Sequence, residues 1–323
     1  MRRKVLVTGG AGFIGSHLVA ALVKRGDKVV VIDNFSTGKP GNLAAVKGDI
    51  EFLYGDINDY QLLATAMTGV SVIFHEAALG SVPRSIEDPL ATHINNANGT
   101  LNVLLAAKDQ GVKRVVYAAS SSAYGDALSL PKVETMPTNP ISPYAVSKLV
   151  GEQYGASFSK VYGLETVSLR YFNVFGPRQE PDSQYAAVIP LFIKQMMSGV
   201  SPTINGDGQH SRDFTPVANV VQANLQAAVA TQASGRVFNV ALGGQVSLND
   251  LVSGINRLLG TDIHPMHAKP RPGDIRHSWA DISRARAILD YEPVLTFEEG
   301  LELTVRWFAR QAASSTHRLE GVY

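Results

Sequence analysis

The chain of 323 residues contains no cysteine, which excludes disulfides, thiolate zinc sites and cysteine nucleophiles. It also lacks a run of about eighteen apolar residues, the length that a membrane-spanning helix needs. Charge of neither sign dominates, because 29 lysines and arginines face 28 acids for a formal net charge of +1. No basic cluster indicates a nucleic-acid or membrane-surface partner. We therefore expect a soluble, cytoplasmic protein.

Glycine is abundant, with 29 residues, and apolar residues make up 45% of the chain, as in a compact α/β protein with many tight turns. Short β-branched runs alternate with helical patterns, which predicts a doubly wound parallel sheet covered by helices on both faces. The predicted strands are Lys4–Thr8, Lys28–Asp33, Glu51–Gly55, Ser71–Glu76, Arg114–Ser120, Glu165–Tyr171 and Arg236–Ala241. The predicted helices are Phe13–Arg25, Tyr60–Met67, Asn96–Gln110, Tyr144–Val161 and Val217–Thr231.

The alternation of strands and helices breaks from about Gly176, where prolines and an Asn-Gly-Asp-Gly turn at 205–208 appear. We predict a main domain of residues 1–175 plus 217–243. Residues 176–216 plus 244–310 would form a smaller, discontinuous α/β domain for the substrate, with helices over residues 247–308. Residues 311–323 are polar and are predicted to be a loosely held tail.

A glycine-rich turn follows the first predicted strand and opens the first predicted helix. Glycines at 9, 12 and 15 allow a tight turn, close approach of a pyrophosphate and close packing of helix on strand. Free amides at the helix start would then face the phosphates. Because the turn has this strand–turn–helix context, it predicts a Rossmann-type dinucleotide-binding domain.

Two acidic residues stand at the ends of the next predicted strands. Asp33 would accept hydrogen bonds from the adenosine ribose and repel a 2′-phosphate, which favours NAD over NADP. The alternative is an ordinary turn before Asn34. Asp56 could reach the adenine edge, or could simply begin a turn.

Tyr144 and Lys148 are four residues apart, so on a helix they lie on one face. An ammonium close to a phenol lowers the pKa of the phenol, which would make Tyr144 a general base near neutral pH. Ser120, at the end of the fifth predicted strand, could hydrogen-bond the same substrate oxygen. The alternatives are a packed tyrosine with a solvated lysine, and a serine loop that satisfies its own backbone.

Together these motifs resemble the extended short-chain dehydrogenase/reductase superfamily, and within it the UDP-hexose 4-epimerases, most of all those acting on N-acetylated UDP-sugars. The resemblance covers about residues 3–308. Further motifs fall in the family's order: Arg170–Pro177, Val188–Pro190, Asn205–Gly208, Ser211–Phe214 and Arg271–Asp274.

The resemblance implies roles for individual residues. Ser120, Tyr144 and Lys148 would be catalytic, and no metal is implied. NAD would contact Gly9, Gly12, Phe13, Ile14, Gly15, Asp33, Asn34, Ser36, Thr37, Gly38, Asp56, Ile57, Ala77, Ala78, Asn96, Tyr144, Lys148 and Tyr171. A UDP-sugar would contact Gly80, Ser81, Arg84, Ser122, Asn173, Ala187, Val188, Asn205, Gln209, Arg212, Arg271, Asp274 and Ser278. Arg212 and Arg271 would pair with the diphosphate.

The implied reaction is a transient oxidation at C4 of the sugar, after which the hydride returns to the other face. Sister dehydratases carry an Asp-Glu pair where this chain has Ser121 and Ser122, and decarboxylases tend to carry a glutamate there. Ser278 takes the place of a gate residue beside the sugar C2 group, so its small size favours UDP-GlcNAc and UDP-GalNAc. Arg84 keeps uronic acid substrates open, and a regulator without catalysis is a further alternative. A homodimer is also implied.

Overall fold

The computed structural model describes residues 2–182, 186–270 and 275–320. Its strands, in chain order, are β1 (Lys4–Thr8), β2 (Lys28–Asp33), β3 (Ile50–Tyr54), β4 (Val72–His75), β5 (Arg114–Ser120), β6 (Glu165–Tyr171), β7 (Val174–Phe175), β8 (Thr203–Asn205), β9 (Ser211–Arg212), β10 (Thr215–Pro216), β11 (Arg236–Val240), β12 (Val246–Ser247), β13 (Met266–Ala268) and β14 (His277–Ser278).

The helices are α1 (Phe13–Lys24), α2 (Tyr60–Ala66), α3 (Val82–Glu87), α4 (Pro89–His93), α5 (Gly99–Asp109), α6 (Pro143–Tyr162), α7 (Val188–Met197), α8 (Val217–Ala227), α9 (Leu248–Leu259), α10 (Ser283–Leu289) and α11 (Phe297–Glu320). Two 3₁₀ turns cover Pro40–Val46 and Ser121–Tyr124. None of the described helices combines the length and the apolarity needed to cross a membrane.

A seven-stranded parallel sheet forms the centre, in the order β11-β6-β5-β4-β1-β2-β3. This order reverses direction at β1, with β2 on one side and β4 on the other. The carboxyl ends of β1 and β4 then flank a crevice, which is where open α/β sheets bind their ligands. The predicted doubly wound α/β fold is confirmed, and each predicted strand is present within two residues of its predicted ends.

Three predicted helix boundaries change by three residues or more. Helix α8 ends at Ala227, four residues before the predicted end at Thr231. The helix predicted from Asn96 begins with a π-helical turn over Ile94–Asn98, and α5 itself begins at Gly99. Helix α11 continues to Glu320, past the predicted end of the last helical stretch at residue 308. Residues 311–320, which were predicted to be a loosely held tail, are therefore part of helix α11.

Buried apolar side chains form three clusters. Two cover the opposite faces of the central sheet, as its near-continuous apolar strands require. The third lies among α7, α9 and α11, and draws on Phe175, Ile193, Leu251, Ile255 and Leu301. Because both of the later chain segments supply this third cluster, we propose that it is the core of the smaller domain predicted above.

Candidate active site

A cleft of about 1130 Å³ lies along the carboxyl ends of the central strands. It exceeds the roughly 300–1,000 Å³ usual for a site that holds one small ligand. The glycine-rich turn lines one part of this cleft, and Ser120, Tyr144 and Lys148 line another. The sequence motifs therefore meet in one cavity that has room for two ligands.

The turn between β1 and α1 needs its glycines. Gly9 has a φ of +68°, and a Cβ there would lie 2.7 Å from the backbone of Ala77. A Cβ on Gly15 would lie 2.2 Å from the Gly9 carbonyl oxygen. Gly12 is the N-cap of α1 and provides no side-chain cap, so the first-turn amides of α1 are available to an anion. This arrangement fits the pyrophosphate of a dinucleotide.

Asp33 lies at the end of β2 and faces the cleft. Its carboxylate accepts hydrogen bonds from the amides of Ala11 and Phe35, both at 2.8 Å. Burial raises the pKa of Asp33, and these two hydrogen bonds oppose the rise. Asp33 thus joins the glycine-rich turn to the loop after β2, and each of its oxygens keeps a second lone pair for a ligand.

Asp56, the second predicted carboxylate, is also hydrogen-bonded to neighbouring residues. Asp56 accepts from the side chain of Asn34 at 2.8 Å and from the amide of Asn58 at 2.8 Å. Both Asn34 and Asp56 line the cleft. A Cβ on Gly38 would lie 2.9 Å from the Asp33 carboxylate, so a larger residue at position 38 would crowd Asp33.

Helix α6 carries the proposed base and is held firmly against the sheet. It begins at Pro143, where proline is favoured, and the Ser142 hydroxyl caps it by accepting from the Ala145 amide at 3.2 Å. Farther along, Glu152 makes a buried two-pronged ion pair with Arg170 of β6, at 2.9 and 2.7 Å. A Cβ on Gly151 would lie 2.3 Å from the Tyr117 hydroxyl. This close packing fixes where the first turns of α6 lie.

Tyr144 and Ser120 both line the cleft, and the Ser120 hydroxyl accepts from the Ser122 hydroxyl at 2.9 Å. Burial raises the pKa of Tyr144 above its usual value, and the polar side chain of Ser120 opposes this rise. The prediction that Lys148 lowers the pKa of Tyr144 is therefore wrong for the protein by itself, because desolvation of the phenolate dominates.

The ammonium of Lys148 is bound to the main chain of β5. Its ammonium donates to the Ala118 carbonyl oxygen at 2.8 Å and lies 5.1 Å from the centre of the Tyr117 ring. Burial lowers the pKa of Lys148 to about 8, while the charges of Glu76 and Glu152 oppose the fall. Lys148 is bound to β5 and is influenced by two carboxylates, one of them in the cleft.

The small three-stranded sheet brings together two predicted sugar-side residues. Strand β9 pairs with β14, which places Ser278 opposite Arg212, and both line the cleft. Arg212 donates to the carbonyl oxygens of Ser211 and Arg276, at 2.9 and 3.3 Å. The proposed gate residue and the proposed diphosphate ligand are thus neighbours in the cleft wall.

Most predicted site residues line this one cleft. They are Gly9, Gly12, Phe13, Ile14, Gly15, Asp33, Asn34, Ser36, Thr37, Asp56, Ile57, Ala77, Ala78, Gly80, Ser81, Arg84, Ser120, Ser122, Tyr144, Lys148, Tyr171, Asn173, Ala187, Arg212 and Ser278. Gly38, Asn96, Val188, Asn205 and Gln209 lie outside the cleft lining. Arg271 and Asp274 fall outside the described residues.

Asn96 links two segments of the structure. Its side chain accepts from the Leu79 amide at 2.8 Å and donates to the Ser147 hydroxyl at 3.0 Å. Asn96 is buried and holds the segment after β4 to α6, and it is not among the residues that line the cleft. Its neighbour Asn95 lines the cleft instead.

Sequence reasoning missed three polar residues of this region. Glu76 is the first residue after β4, lines the cleft and accepts from the Tyr171 hydroxyl at 2.8 Å. Lys132 also lines the cleft although it is buried. Asp213 is buried and accepts from the amides of Leu242 and Gly243, at 2.9 and 3.0 Å. A carboxylate directly after an apolar strand was the one available signal, for Glu76.

His75 is a structural residue. Its two ring nitrogens bond the hydroxyls of Thr8 and Thr100, at 2.7 and 2.9 Å. Burial lowers the pKa of His75 to about 3. The ring is therefore neutral at physiological pH and links β1, β4 and α5.

Comparisons with known proteins agree with this geometry. The model of the NAD dependent epimerase/dehydratase family matches residues 5–241. A UDP-glucose 4-epimerase of Mycolicibacterium smegmatis is 38% identical over 313 residues, covering 96% of this chain and 99% of that protein.

Two solved structures share the fold over nearly their whole length. One is the UDP-N-acetylglucosamine 4-epimerase from Methanobrevibacter ruminantium M1 in complex with UDP-N-acetylmuramic acid, with a TM-score of 0.92, 43% identity, and coverage of 96% of this chain and 100% of that chain. The other is the UDP-glucuronic acid 4-epimerase from Bacillus cereus with UDP-glucuronic acid and NAD, with a TM-score of 0.88, 33% identity, and coverage of 95% and 99%. With its glycine-rich turn, its serine, tyrosine and lysine in one cleft, and these likenesses along its length, the chain belongs to the NAD dependent epimerase/dehydratase family, in the extended short-chain dehydrogenase/reductase group.

Proposed function

We propose that this enzyme inverts C4 of a UDP-hexose, with UDP-GlcNAc and UDP-GalNAc preferred over UDP-Glc and UDP-Gal. Tyr144 and Ser120 carry this proposal, because both line the cleft that the glycine-rich turn also lines. A phenol and a hydroxyl on one substrate oxygen are the groups that proton transfer at an alcohol requires.

NAD, when bound, supplies the hydride acceptor and donor and a positively charged ring. The glycine-rich turn and Asp33 would hold its adenosine diphosphate portion, because the Asp33 carboxylate is hydrogen-bonded to this turn and both line the cleft. Tyr144 takes the proton of the sugar 4-hydroxyl and later returns it, while Ser120 hydrogen-bonds the same oxygen. A nearby positive charge favours the phenolate, which offsets the effect of burial on Tyr144. Since the proton and the hydride both return to the sugar, the reaction needs no further reactant.

The serine loop supports inversion rather than elimination. Ser121 and Ser122 both line the cleft, at the places where the sister dehydratases carry an acid and a base. A hydroxyl with a pKa far above neutrality cannot replace a carboxylic acid as a proton donor to a leaving hydroxide. We therefore rank 4,6-dehydration and decarboxylation below epimerisation.

Small side chains on the sugar side support an acetylated substrate. Gly80, Ser81, Ser122, Ala187 and Ser278 all line the cleft, and the UDP-GlcNAc 4-epimerase of Methanobrevibacter ruminantium shares the fold at 43% identity. Arg84 lines the same cleft, so a sugar with a C6 carboxylate is the second candidate. The solved UDP-glucuronic acid 4-epimerase gives this candidate a related precedent.

We also propose a cytoplasmic homodimer that serves polysaccharide precursor synthesis. A second copy of the chain would pack α5 and α6 against their equivalents as four helices. The exposed apolar side chains of α6 support this arrangement, since Val146, Val161 and Tyr162 are 45%, 64% and 54% exposed.

Steady-state assays on UDP-GlcNAc, UDP-GalNAc, UDP-Glc, UDP-Gal and UDP-glucuronic acid test the proposal. We expect kcat/KM for the acetylated pair to exceed that for the plain pair at least tenfold, and native mass spectrometry to show bound NAD. A higher value for UDP-glucuronic acid would favour the second candidate. Bound NAD without any epimerised product would contradict the proposed reaction.

A further inference from the structure

Asp213 is a buried carboxylate to which the reaction proposed above assigns no part. It follows directly after Arg212, the last residue of β9, and its exposed fraction is 1%. Arg212 lines the cleft, whereas Asp213 is not among the lining residues. A carboxylate removed from water is costly unless hydrogen bonds replace its hydration, so the partners of Asp213 must come from the protein.

The side chain of Asp213 joins two chain segments. One carboxylate oxygen accepts from the Leu242 amide at 2.9 Å, and the other accepts from the amides of Gly243 and Ala280, at 3.0 and 3.2 Å. Leu242 and Gly243 follow β11 of the central sheet, and Ala280 follows β14. Burial raises the pKa of Asp213 to about 6, and these main-chain amides oppose the rise. At alkaline pH the group is therefore an ionised acceptor that links both segments.

The main chain of Asp213 contacts residues of the cleft wall. Its amide donates to the Ser278 carbonyl oxygen at 2.9 Å, and its carbonyl oxygen accepts from the Asn173 side chain at 3.3 Å. Ser278, Asn173 and Arg212 all line the cleft, and all three belong to the proposed sugar side. Asp213 is thus bonded or adjacent to cleft residues that come from three distant parts of the chain.

The strands on this side are short. Both β9 and β14 have two residues, and they pair Ser211 with His277 and Arg212 with Ser278. Strands of ordinary length have about five or six residues, so they make more ladder hydrogen bonds. Hydrogen bonds to an ionised group are also roughly twice as strong as neutral ones. The Asp213 carboxylate therefore supplies stabilisation that this short pairing lacks.

The segment after β14 has a second attachment, which does not involve Asp213. The Lys132 amide donates to the Trp279 carbonyl oxygen at 2.8 Å, and the Lys132 carbonyl oxygen accepts from the Asp281 amide at 2.9 Å. This segment should therefore stay attached to the protein when the Asp213 carboxylate is changed, and it should lose only its fixed position relative to β9.

We propose that Asp213 is a positioning residue for the UDP-sugar, which holds Arg212 and Ser278 in the relative position that binding requires. The proposal rests on the epimerase function proposed above, in which Arg212 pairs with the diphosphate and Ser278 lies beside the sugar. A guanidinium binds phosphate oxygens through parallel hydrogen bonds, so its direction matters as well as its charge. Tyr144 and Ser120 stand on α6 and β5, whereas the side-chain bonds of Asp213 lead to the segments after β11 and β14. Loss of the carboxylate should therefore weaken substrate binding and spare proton transfer.

Asp213→Asn tests this with an almost unchanged shape, since it places an NH2 group where a carboxylate oxygen faces a main-chain amide. We expect KM for UDP-GalNAc to rise about tenfold, the effect of one lost hydrogen bond to a charged group. The value of kcat should fall by less than about threefold, because the lost interaction serves binding. Native mass spectrometry should find as much bound NAD as in the wild type. A loss confined to kcat, with KM unchanged, would contradict the proposal.

Asn219→Asp is the matched control. Asn219 is also buried, and its side-chain oxygen accepts from the amides of Val294 and Leu295, both at 2.9 Å. Its side-chain nitrogen donates to the Leu295 carbonyl oxygen at 2.8 Å, so an aspartate there also places two like groups face to face. Asn219 lies outside the cleft lining. This variant should lower Tm as Asp213→Asn does and leave KM at the wild-type value. An equal rise of KM in both variants would trace the effect to general loosening and refute the assigned role.

Affinity for UDP is a measurement that does not need turnover. Titration calorimetry on NAD-loaded protein should give a Kd for UDP about tenfold higher in Asp213→Asn than in the wild type. If the wild type binds UDP but epimerises no UDP-hexose, the proposed reaction fails, while this comparison still decides the role of Asp213. Equal Kd values would overturn that role. If Asp213→Asn does not fold, Asp213→Ser carries the same expectation, because a hydroxyl brings no opposed NH2 group and leaves room for a water molecule.

A double-mutant cycle tests whether Asp213 acts through Arg212. Arg212→Ala removes the group that would contact the diphosphate, so it should raise the Kd for UDP by itself. Adding Asp213→Asn to Arg212→Ala should then raise Kd by less than about twofold, because the side chain to be positioned is absent. Fully additive effects on the free energy of UDP binding would show that Asp213 does not act through Arg212, and the proposal would be wrong.

Discussion

The two sides of the cleft are built differently. On the cofactor side, the site comes from the ends of long parallel strands, and residues close in sequence touch one another. Asp33, for example, bonds the amide of Phe35 two residues away and that of Ala11 in the turn before it. On the sugar side, strands of two residues join distant segments, as β9 and β14 do when they place Ser278 opposite Arg212. Local motifs therefore specify the cofactor side, whereas long-range pairing specifies the sugar side.

Removal of the Tyr144 hydroxyl should have the largest effect on activity, because this group takes the proton from the sugar 4-hydroxyl and returns it. We expect Tyr144→Phe to lower kcat about a thousandfold, within the range that general acid–base groups contribute. NAD should stay bound, because its adenosine and diphosphate contacts lie at the glycine-rich turn. Stopped assays with UDP-GalNAc measure the first effect, and native mass spectrometry measures the second.

Tyr54→Phe is the matched control for this variant, since Tyr54 is 70% exposed on the edge strand. It should retain wild-type turnover. If Tyr144→Phe kept more than about a tenth of the wild-type kcat, another group would be the base, and the mechanism proposed here would be wrong.

The next largest effect should come from crowding the cofactor side. In Gly15→Ala, the new Cβ would lie 2.2 Å from the Gly9 carbonyl oxygen, so α1 must shift from the turn. Overpacking of this kind costs roughly 1–3 kcal/mol, and we expect the upper part of that range together with loss of bound NAD. Urea unfolding and the NAD content of the purified protein measure the two effects.

Gly41→Ala provides the comparison, because a Cβ at Gly41 would meet no atom within 4 Å. Its free energy of unfolding and its NAD content should match those of the wild type. Equal NAD content in Gly15→Ala would show that the close approach of helix and turn is not needed for cofactor binding.

The same contrast explains what the sequence could predict. The central strands and the glycine-rich turn follow from local patterns, and their predictions agree with the structure. The pKa of Tyr144 does not follow from its spacing to Lys148, because it depends on burial and on where the lysine points. Lys148 is bound to the Ala118 carbonyl oxygen of β5, a contact that no spacing along α6 can show.

Residues of the sugar side were harder to place for a related reason. Asn205 is the last residue of β8, and Gln209 follows the turn after it. The position of both depends on the pairing of β8 with β13, some sixty residues later in the chain. Resemblance placed both residues at the substrate, and both lie outside the cleft lining. Ser278 lies in the cleft lining because its short strand pairs directly beside Arg212.

Ser278→Tyr tests the sugar side of the cleft. It should change the preference between acetylated and plain UDP-sugars and leave turnover of the plain sugars nearly unchanged. Ser278 is half-buried in the cleft wall, so a tyrosine there would take space that an N-acetyl group needs. Steric exclusion in a pocket is worth about 1–3 kcal/mol for small groups, which corresponds to roughly tenfold or more in kcat/KM. We expect UDP-GalNAc to lose at least tenfold in kcat/KM, while UDP-Gal changes by less than about twofold.

Ser278→Ala should leave kcat/KM for both substrates unchanged, because it removes only a hydroxyl. If Ser278→Tyr left UDP-GalNAc turnover intact, Ser278 would not be the gate, and the preference for acetylated sugars would have to come from another part of the cleft wall.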